Sequence, residues 1–171
     1  MFPGATRELA ERAGIPLLGL DEVDGVDLAI DGADEIGPGL ALIKGGGGAL
    51  LHEKLVATAA RELLVVADAS KVVARLGAFP LPIEIVPAAR RLVAAAVREL
   101  GGQPALRGGD RPFRTDEGNH ILDCAFGVIP DAAALAGALD RVVGVVEHGL
   151  FVGLAAVALV GDGATVRELR P

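Results

Sequence analysis

Apolar runs of strand length alternate with Ala- and Leu-rich stretches of helical length through the first part of the chain. Residues 5–13 read as a short helix stopped by Gly14, and 15–20 and 26–30 as mainly apolar strands. A helix over 49–62 starts directly behind four glycines, 45–48, and the continuous apolar run 63–67 suits a strand covered on both faces. At 79–82, prolines bracket a connection and the order of elements changes. The pattern then predicts strand 83–86, helix 88–100, strands 104–107 and 120–126, helix 131–142 and strand 144–150. That order is β-α-β-β-α-β, the split ferredoxin-like arrangement. Runs 154–160 and 164–169 around Asp162-Gly163 read as a hairpin that rejoins the first unit. The expected fold class is α/β: a partial doubly wound, Rossmann-like domain from residues 1–78 and 151–171, with a smaller ferredoxin-like domain at 79–150.

Composition narrows the function. With 51% apolar and 23% charged residues the chain is globular rather than disordered. Five Phe, no Trp or Tyr, and a net charge of −7 leave little for base stacking or phosphate tracking, so no nucleic-acid partner is expected. An acidic protein binds an anion only where lysines and helix N-termini reverse the field locally. The single Cys124 cannot form an internal disulfide, and no metal-ligand spacing such as C-x-x-C or H-E-x-x-H occurs. No apolar run reaches the roughly 18 residues of a membrane span. A reducing cytoplasm, no membrane and no metal are the expectations.

Three polar clusters follow strand-like runs: Asp31-Gly32-Ala33-Asp34-Glu35, Lys44 with Gly45, Gly46, Gly47 and Gly48, and Asp68-Ala69-Ser70-Lys71. Ligands of open α/β sheets bind beyond the carboxyl ends of the strands, where such groups converge. Asp34 and Lys44 are too close for a helical crossover, so Pro38-Gly39 is expected to turn the chain back and set the two side by side. The glycine run fails both nucleotide fingerprints, because Leu50 or Leu51 stands where glycine is required. It offers bare backbone N–H groups at a helix start, suited to phosphate or an oxyanion, or else simply a tight turn. Glu53, about one turn into that helix with Ala49 and Ala57 beside it, is either a surface charge complementing the helix dipole or a base. Lys44 and Lys71, two of the three lysines, fall at strand ends. A carboxylate base, a cation for a developing oxyanion and an acid that exchanges protons with oxygen are what an enediol isomerisation needs.

These residues resemble a known family. The stretches from Asp31 to Ile36, Leu42 to Leu50, Glu53-Lys54, Ala67 to Lys71 and Phe79 to Glu84 are similar to the signature of class A ribose-5-phosphate isomerases. Agreement continues through Asn119, Ile121 and Asp123. The resemblance implies a metal-free, cofactor-free interconversion of ribose 5-phosphate and ribulose 5-phosphate through a cis-enediolate, in the non-oxidative pentose phosphate pathway. It implies Glu53 as the base, Lys44 as stabiliser of the enediolate oxygen, Asp31 for ring opening and proton exchange, and Asp34 for the hydroxyls. Gly32, Ala33 and Gly45–Gly47 would line the ligand, Lys71 would contact it, and the protein would form a homodimer or larger homo-oligomer. Asn119 and Asp123 are expected to be structural.

The family has a further N-terminal strand and a Gly-Thr-Gly-Ser-Thr-like phosphate loop with no counterpart here. The expectation is an N-terminally incomplete domain with reduced phosphate affinity. The rival readings are a non-catalytic sugar-phosphate sensor and an inactive truncated isomerase. A nicotinamide-dependent dehydrogenase is disfavoured by the failed fingerprint.

Overall fold

The computed structural model describes residues 4–171. Helix α1 (Gly4–Arg12) is followed by β1 (Val26–Asp31), β2 (Glu35–Ile36), β3 (Leu42–Ile43), α2 (Leu50–Ala59) and β4 (Ala60–Asp68). Then come β5 (Leu81–Ile85), α3 (Arg90–Glu99), β6 (Gln103–Leu106), β7 (His120–Ala125), α4 (Ala132–Leu139) and β8 (Val145–His148). β9 (Leu150–Phe151), β10 (Ala155–Gly161) and β11 (Val166–Leu169) complete the chain.

Among the described residues the strands form three sheets. The first has the order β1-β4-β10-β11, with β1, β4 and β10 parallel and β11 returning antiparallel. Asp162 shapes the returning turn by accepting from the backbone of Ala164 and Thr165. The second is a small antiparallel sheet, β2-β3-β9. The third, β6-β7-β5-β8, is wholly antiparallel and has the strand order of a split β-α-β-β-α-β unit. Each large sheet has its own core. One gathers Leu63, Val65, Ala158 and Phe151; the other gathers Ile83, Ile85, Val93, Leu122 and Leu139.

Several elements depart from the sequence pattern for identifiable reasons. Residues 15–19 form no strand, and a 3₁₀ turn follows at Leu20–Glu22. Helix α2 stops at Ala59 instead of 62, because Ala60 is already extended and pairs with Val26. Strand pairing recruits Arg61 and Glu62, and both remain exposed at the start of the strand, before Leu63 enters the core. Nor is β4 covered on both faces: Leu63 and Val65 enter the core while Val66 is half exposed, since α2 packs on one side only. The return at 40–43 shrinks to the two residues of β3, because Pro38–Leu40 closes a 3₁₀ turn with Gly39 in the left-handed region. Strand 144–150 is split at Gly149, whose N–H donates to Pro82 O while its carbonyl accepts from Lys44 N. The split lets β8 stay in the third sheet while β9 joins β3 of the second. Helix α4 starts at Ala132 because Asp131 caps it, accepting from Ala134 N at 2.9 Å.

Candidate active site

The ends of β1 and β3 and the first turn of α2 converge on one ammonium group. Lys44 follows β3 and is almost fully buried, its side chain 4% exposed. Its Nζ donates to the Gly32 carbonyl at 2.7 Å and pairs with Asp31 Oδ2 at 2.9 Å and Glu53 Oε2 at 3.2 Å. The centroid of the Phe151 ring lies 5.5 Å from the ammonium, within cation–π range. Asp31 closes β1, and its Oδ1 accepts from Gly32 N at 2.7 Å.

Glu53 reaches this point because α2 starts at Leu50, which puts Glu53 in the first turn. Its side chain is 22% exposed, so one face of the carboxylate is open. The Lys44 contact with the buried Oε2, at 3.2 Å, lies off the favourable hydrogen-bond direction, so charge is its larger part. Burial is the main influence on this carboxyl and pushes its pKa above the ordinary value. The Lys44 charge works against that shift, and the charges of Asp31 and Asp34 add to it. A carboxylate so placed is a stronger base than one in water.

Asp34 lies just before β2, and the turn at Pro38–Leu40 brings the chain back beside it: Asp34 N donates to Ile43 O at 2.8 Å, and Glu35 pairs with Ile43. The expected juxtaposition of the Asp34 and Lys44 backbones is therefore present. Asp34 Oδ2 accepts from Gly46 N at 2.8 Å, and a methyl on Gly46 would stand 2.6 Å from Asp34 Oδ1. Gly45 and Gly48 both occupy the left-handed region, at φ +96° and +91°, and Gly48 N donates to Gly45 O to close the turn. Ala33 packs against the core of the first sheet.

Lys71 is not drawn into this cluster. It ends the 3₁₀ turn at Ala69–Lys71, which Asp68 caps by accepting from Ser70 N. The next residue, Val72, bridges to Ile36, so Lys71 sits at the same end of the fold but pairs with neither Asp31, Asp34 nor Glu53 among the described residues.

Sequence reasoning passed over three features. Arg107, just beyond β6, grips Asp123 and also donates to the carbonyls of Gly45 and Gly46. Lys54, buried beside Glu53, donates to Glu147 Oε1 at 2.6 Å and His148 O at 2.7 Å, with the Phe151 ring at 4.9 Å. Burial lowers its pKa, which Glu147 partly restores. His148 Nδ1 accepts from Leu150 N, so Nε2 carries the proton and faces Asp140 at 3.1 Å. Asp140, Glu147 and His148 form one group able to gather round a cation, but the Lys54 ammonium already holds Glu147. Third, Glu35 is buried and accepts from Gly77 N and Phe79 N, tying the first polar cluster to the connection before β5. Single charged residues carry no period, so only the packed structure could reveal these pairings. Asn119, expected to be structural, donates to the buried Glu84 at 2.9 Å.

Comparison with known proteins agrees over most of the chain. Residues 4–165 match the family model described as ribose 5-phosphate isomerase A (phosphoriboisomerase A). The ribose-5-phosphate isomerase A of Nitrobacter hamburgensis is 54% identical over 171 residues, covering 95% of this chain and 74% of that protein. That of Haloarcula marismortui is 54% identical over 169 residues, covering 96% and 73%. Among solved structures, ribose 5 phosphate isomerase A from Neisseria gonorrhoeae superposes with a TM-score of 0.94 at 40% identity, over 99% of this chain and 75% of that one. A D-ribose-5-phosphate isomerase in complex with phospho-erythronic acid gives a TM-score of 0.94 at 37% identity, over 98% and 75%.

Proposed function

This chain belongs to the ribose 5-phosphate isomerase A family, and from that premise we propose that it is an aldose–ketose isomerase interconverting ribose 5-phosphate and ribulose 5-phosphate through a cis-enediolate. The observation that carries the reading is the buried ammonium of Lys44 set between Asp31 and Glu53, at 2.9 and 3.2 Å. A relative whose structure is a complex with phospho-erythronic acid supports a phosphorylated sugar as the substrate class.

The reaction moves one proton between adjacent carbons. Glu53 takes the proton from the second carbon of the open-chain aldose, and the electron pair left behind forms the enediolate while the aldehyde oxygen gains negative charge. In that step the negative charge passes from the carboxylate to the enediolate oxygen. Lys44 lies beside the base and so keeps a partner throughout: as Glu53 becomes neutral, the ammonium is released to the new anion without moving. Glu53 then returns its proton to the first carbon, which leaves the ketose. The hydroxyl proton on the second oxygen must also leave and the first oxygen must gain one. Asp31 serves that exchange and the ring opening that precedes it. Its side chain is 37% exposed, so it can trade protons with solvent. Asp34, fixed by the Gly46 amide, holds the hydroxyls, with Gly32 and Ala33 beside it. The backbone of Gly45, Gly46 and Gly47 lines the ligand, and Lys71 receives the phosphate end.

As partners and setting, we propose a free pentose phosphate, assembly as a homodimer or larger homo-oligomer, and the cytoplasm. Cys124 supports a reducing compartment only in that it is a buried, free thiol, pushed up to about 12 by burial. No helix among the described residues is long and apolar enough to cross a membrane. The test is turnover of ribose 5-phosphate by the purified chain with a chelator present. Ketose should form, and a rate no greater than in buffer would overturn the proposal.

A further inference from the structure

Asp34 has no ion-pair partner among the described residues; the Gly46 amide is its hydrogen-bond donor. The same peptide unit is held at its other end, because the Gly45 carbonyl accepts from Arg107 Nη1 at 3.1 Å. That nitrogen also reaches the Gly46 carbonyl at 3.2 Å. The remaining donors of the guanidinium, Nε and Nη2, bind the two oxygens of Asp123. Asp123 stands in β7 directly across from Ala105 of β6, so the ion pair is built into neighbouring strands and Arg107 projects from a rigid sheet edge.

The order of charges along this line is what matters. A cation sits at the carbonyl end of the Gly45–Gly46 peptide and a carboxylate at its N–H end, so the peptide dipole is aligned with both. Each hydrogen bond polarises the amide in the sense that strengthens the other. Phe113 seats on the turn beside it. A methyl on Gly48 would stand 2.5 Å from the Phe113 ring, which lies 5.7 Å from the guanidinium, and Phe113 N donates to Arg107 O at 2.9 Å. The segment from Arg107 to Phe113 therefore closes on itself and packs against the glycine turn.

We propose that Arg107 is a positioning residue for the isomerisation: through the Gly45–Gly46 peptide it fixes the orientation of Asp34 at the substrate hydroxyls. The proposal rests on the assignment of Asp34 and Glu53 to the site. Arg107 acts through the backbone and is not itself assigned a contact with substrate.

The test compares the full chain with Arg107→Met, Asp34→Asn and the double variant, using amide NMR and steady-state kinetics. The Gly46 amide proton should move upfield in Arg107→Met as it does in Asp34→Asn, with little further movement in the double variant. kcat/KM for ribose 5-phosphate should fall about tenfold or more in Arg107→Met, the loss expected for a hydrogen-bonded charge. When Asp34 is already Asn, the same substitution should cost less than about twofold, because the two act in series. A residue that only joined the sheets would give multiplying losses and an unmoved Gly46 amide, and either result overturns the proposal. If Arg107→Met does not fold, Asp123→Asn, which loosens the guanidinium without removing it, should shift the Gly46 amide in the same direction. Full activity in Glu53→Gln would instead remove the site assignment, while the Gly46 shift would still report on the clamp.

Discussion

Replacing Lys44 by Met tests how the charge cluster is balanced. Met keeps the length and much of the volume against Phe151, so the change is electrostatic rather than a cavity. It removes the partner of Asp31 at 2.9 Å and of Glu53 at 3.2 Å, and leaves the Gly32 carbonyl without its donor. Breaking a fully buried pair from one side costs about 3–5 kcal/mol, whereas exposed pairs are worth about 0–1 kcal/mol. The ammonium is buried but its carboxylates are 22% and 37% exposed, so an intermediate loss of about 2–3 kcal/mol at pH 8 follows. The sign of the pH dependence is fixed by Glu53. Its folded pKa is raised, so the folded state binds more protons than the unfolded one, and the cost of its charge is present above the folded pKa and absent below the unfolded one. Without Lys44 that pKa rises further, and the destabilisation of Lys44→Met should shrink as pH falls from 8 to 5. Urea unfolding of both proteins across this range measures it. A loss below about 0.5 kcal/mol at pH 8, or one that grows toward pH 5, would refute the electrostatic account.

Gly46→Ala should lower kcat/KM about tenfold or more with the fold intact, since its methyl would stand 2.6 Å from Asp34 Oδ1; steady-state kinetics beside far-UV CD would show this. Glu35→Gln places an amide donor against the N–H of Gly77 or Phe79 and should cost about 1–3 kcal/mol in urea unfolding, with KM nearly unchanged. The acid limb of kcat/KM should lie above the ordinary carboxylate value of about 4.3, because Glu53 acts only when ionised and burial raises its pKa. A limb at or below that value in a pH–rate profile would contradict the assignment.

The parts of this molecule that were legible in the sequence are those with a period or a long motif. The β-α-β-β-α-β order from Leu81 to His148 follows from alternating apolar runs, and Gly-rich turns marked where Lys44 and Glu53 would fall. Boundaries failed where tertiary pairing overrode local preference. Ala60 to Glu62 has good helical composition yet joins β4, because the edge of β1 offers hydrogen bonds from Val26 onward. The strand read at 15–20 has apolar residues but no partner, and Ile15 and Leu18 remain exposed. In the site, Asp31, Asp34, Lys44 and Glu53 were visible as charges at strand and helix ends. Arg107 was not, because its role depends on a carbonyl pair 61 and 62 residues away. Lys71 stands at a strand end, as position suggested, and pairs with none of Asp31, Asp34 and Glu53 among the described residues.

The most direct test of the central claim uses ribose 5-phosphate deuterated at its second carbon, turned over with a chelator present by the unaltered chain and by Glu53→Gln. If Glu53 carries the proton, the unaltered chain shows a primary isotope effect with some label recovered on the first carbon of the ketose. Glu53→Gln then loses about 10²–10⁴ in kcat, the span expected for a positioned general base. Turnover by Glu53→Gln within about tenfold of the unaltered chain, with the same isotope effect and label transfer, would show that another group moves the proton.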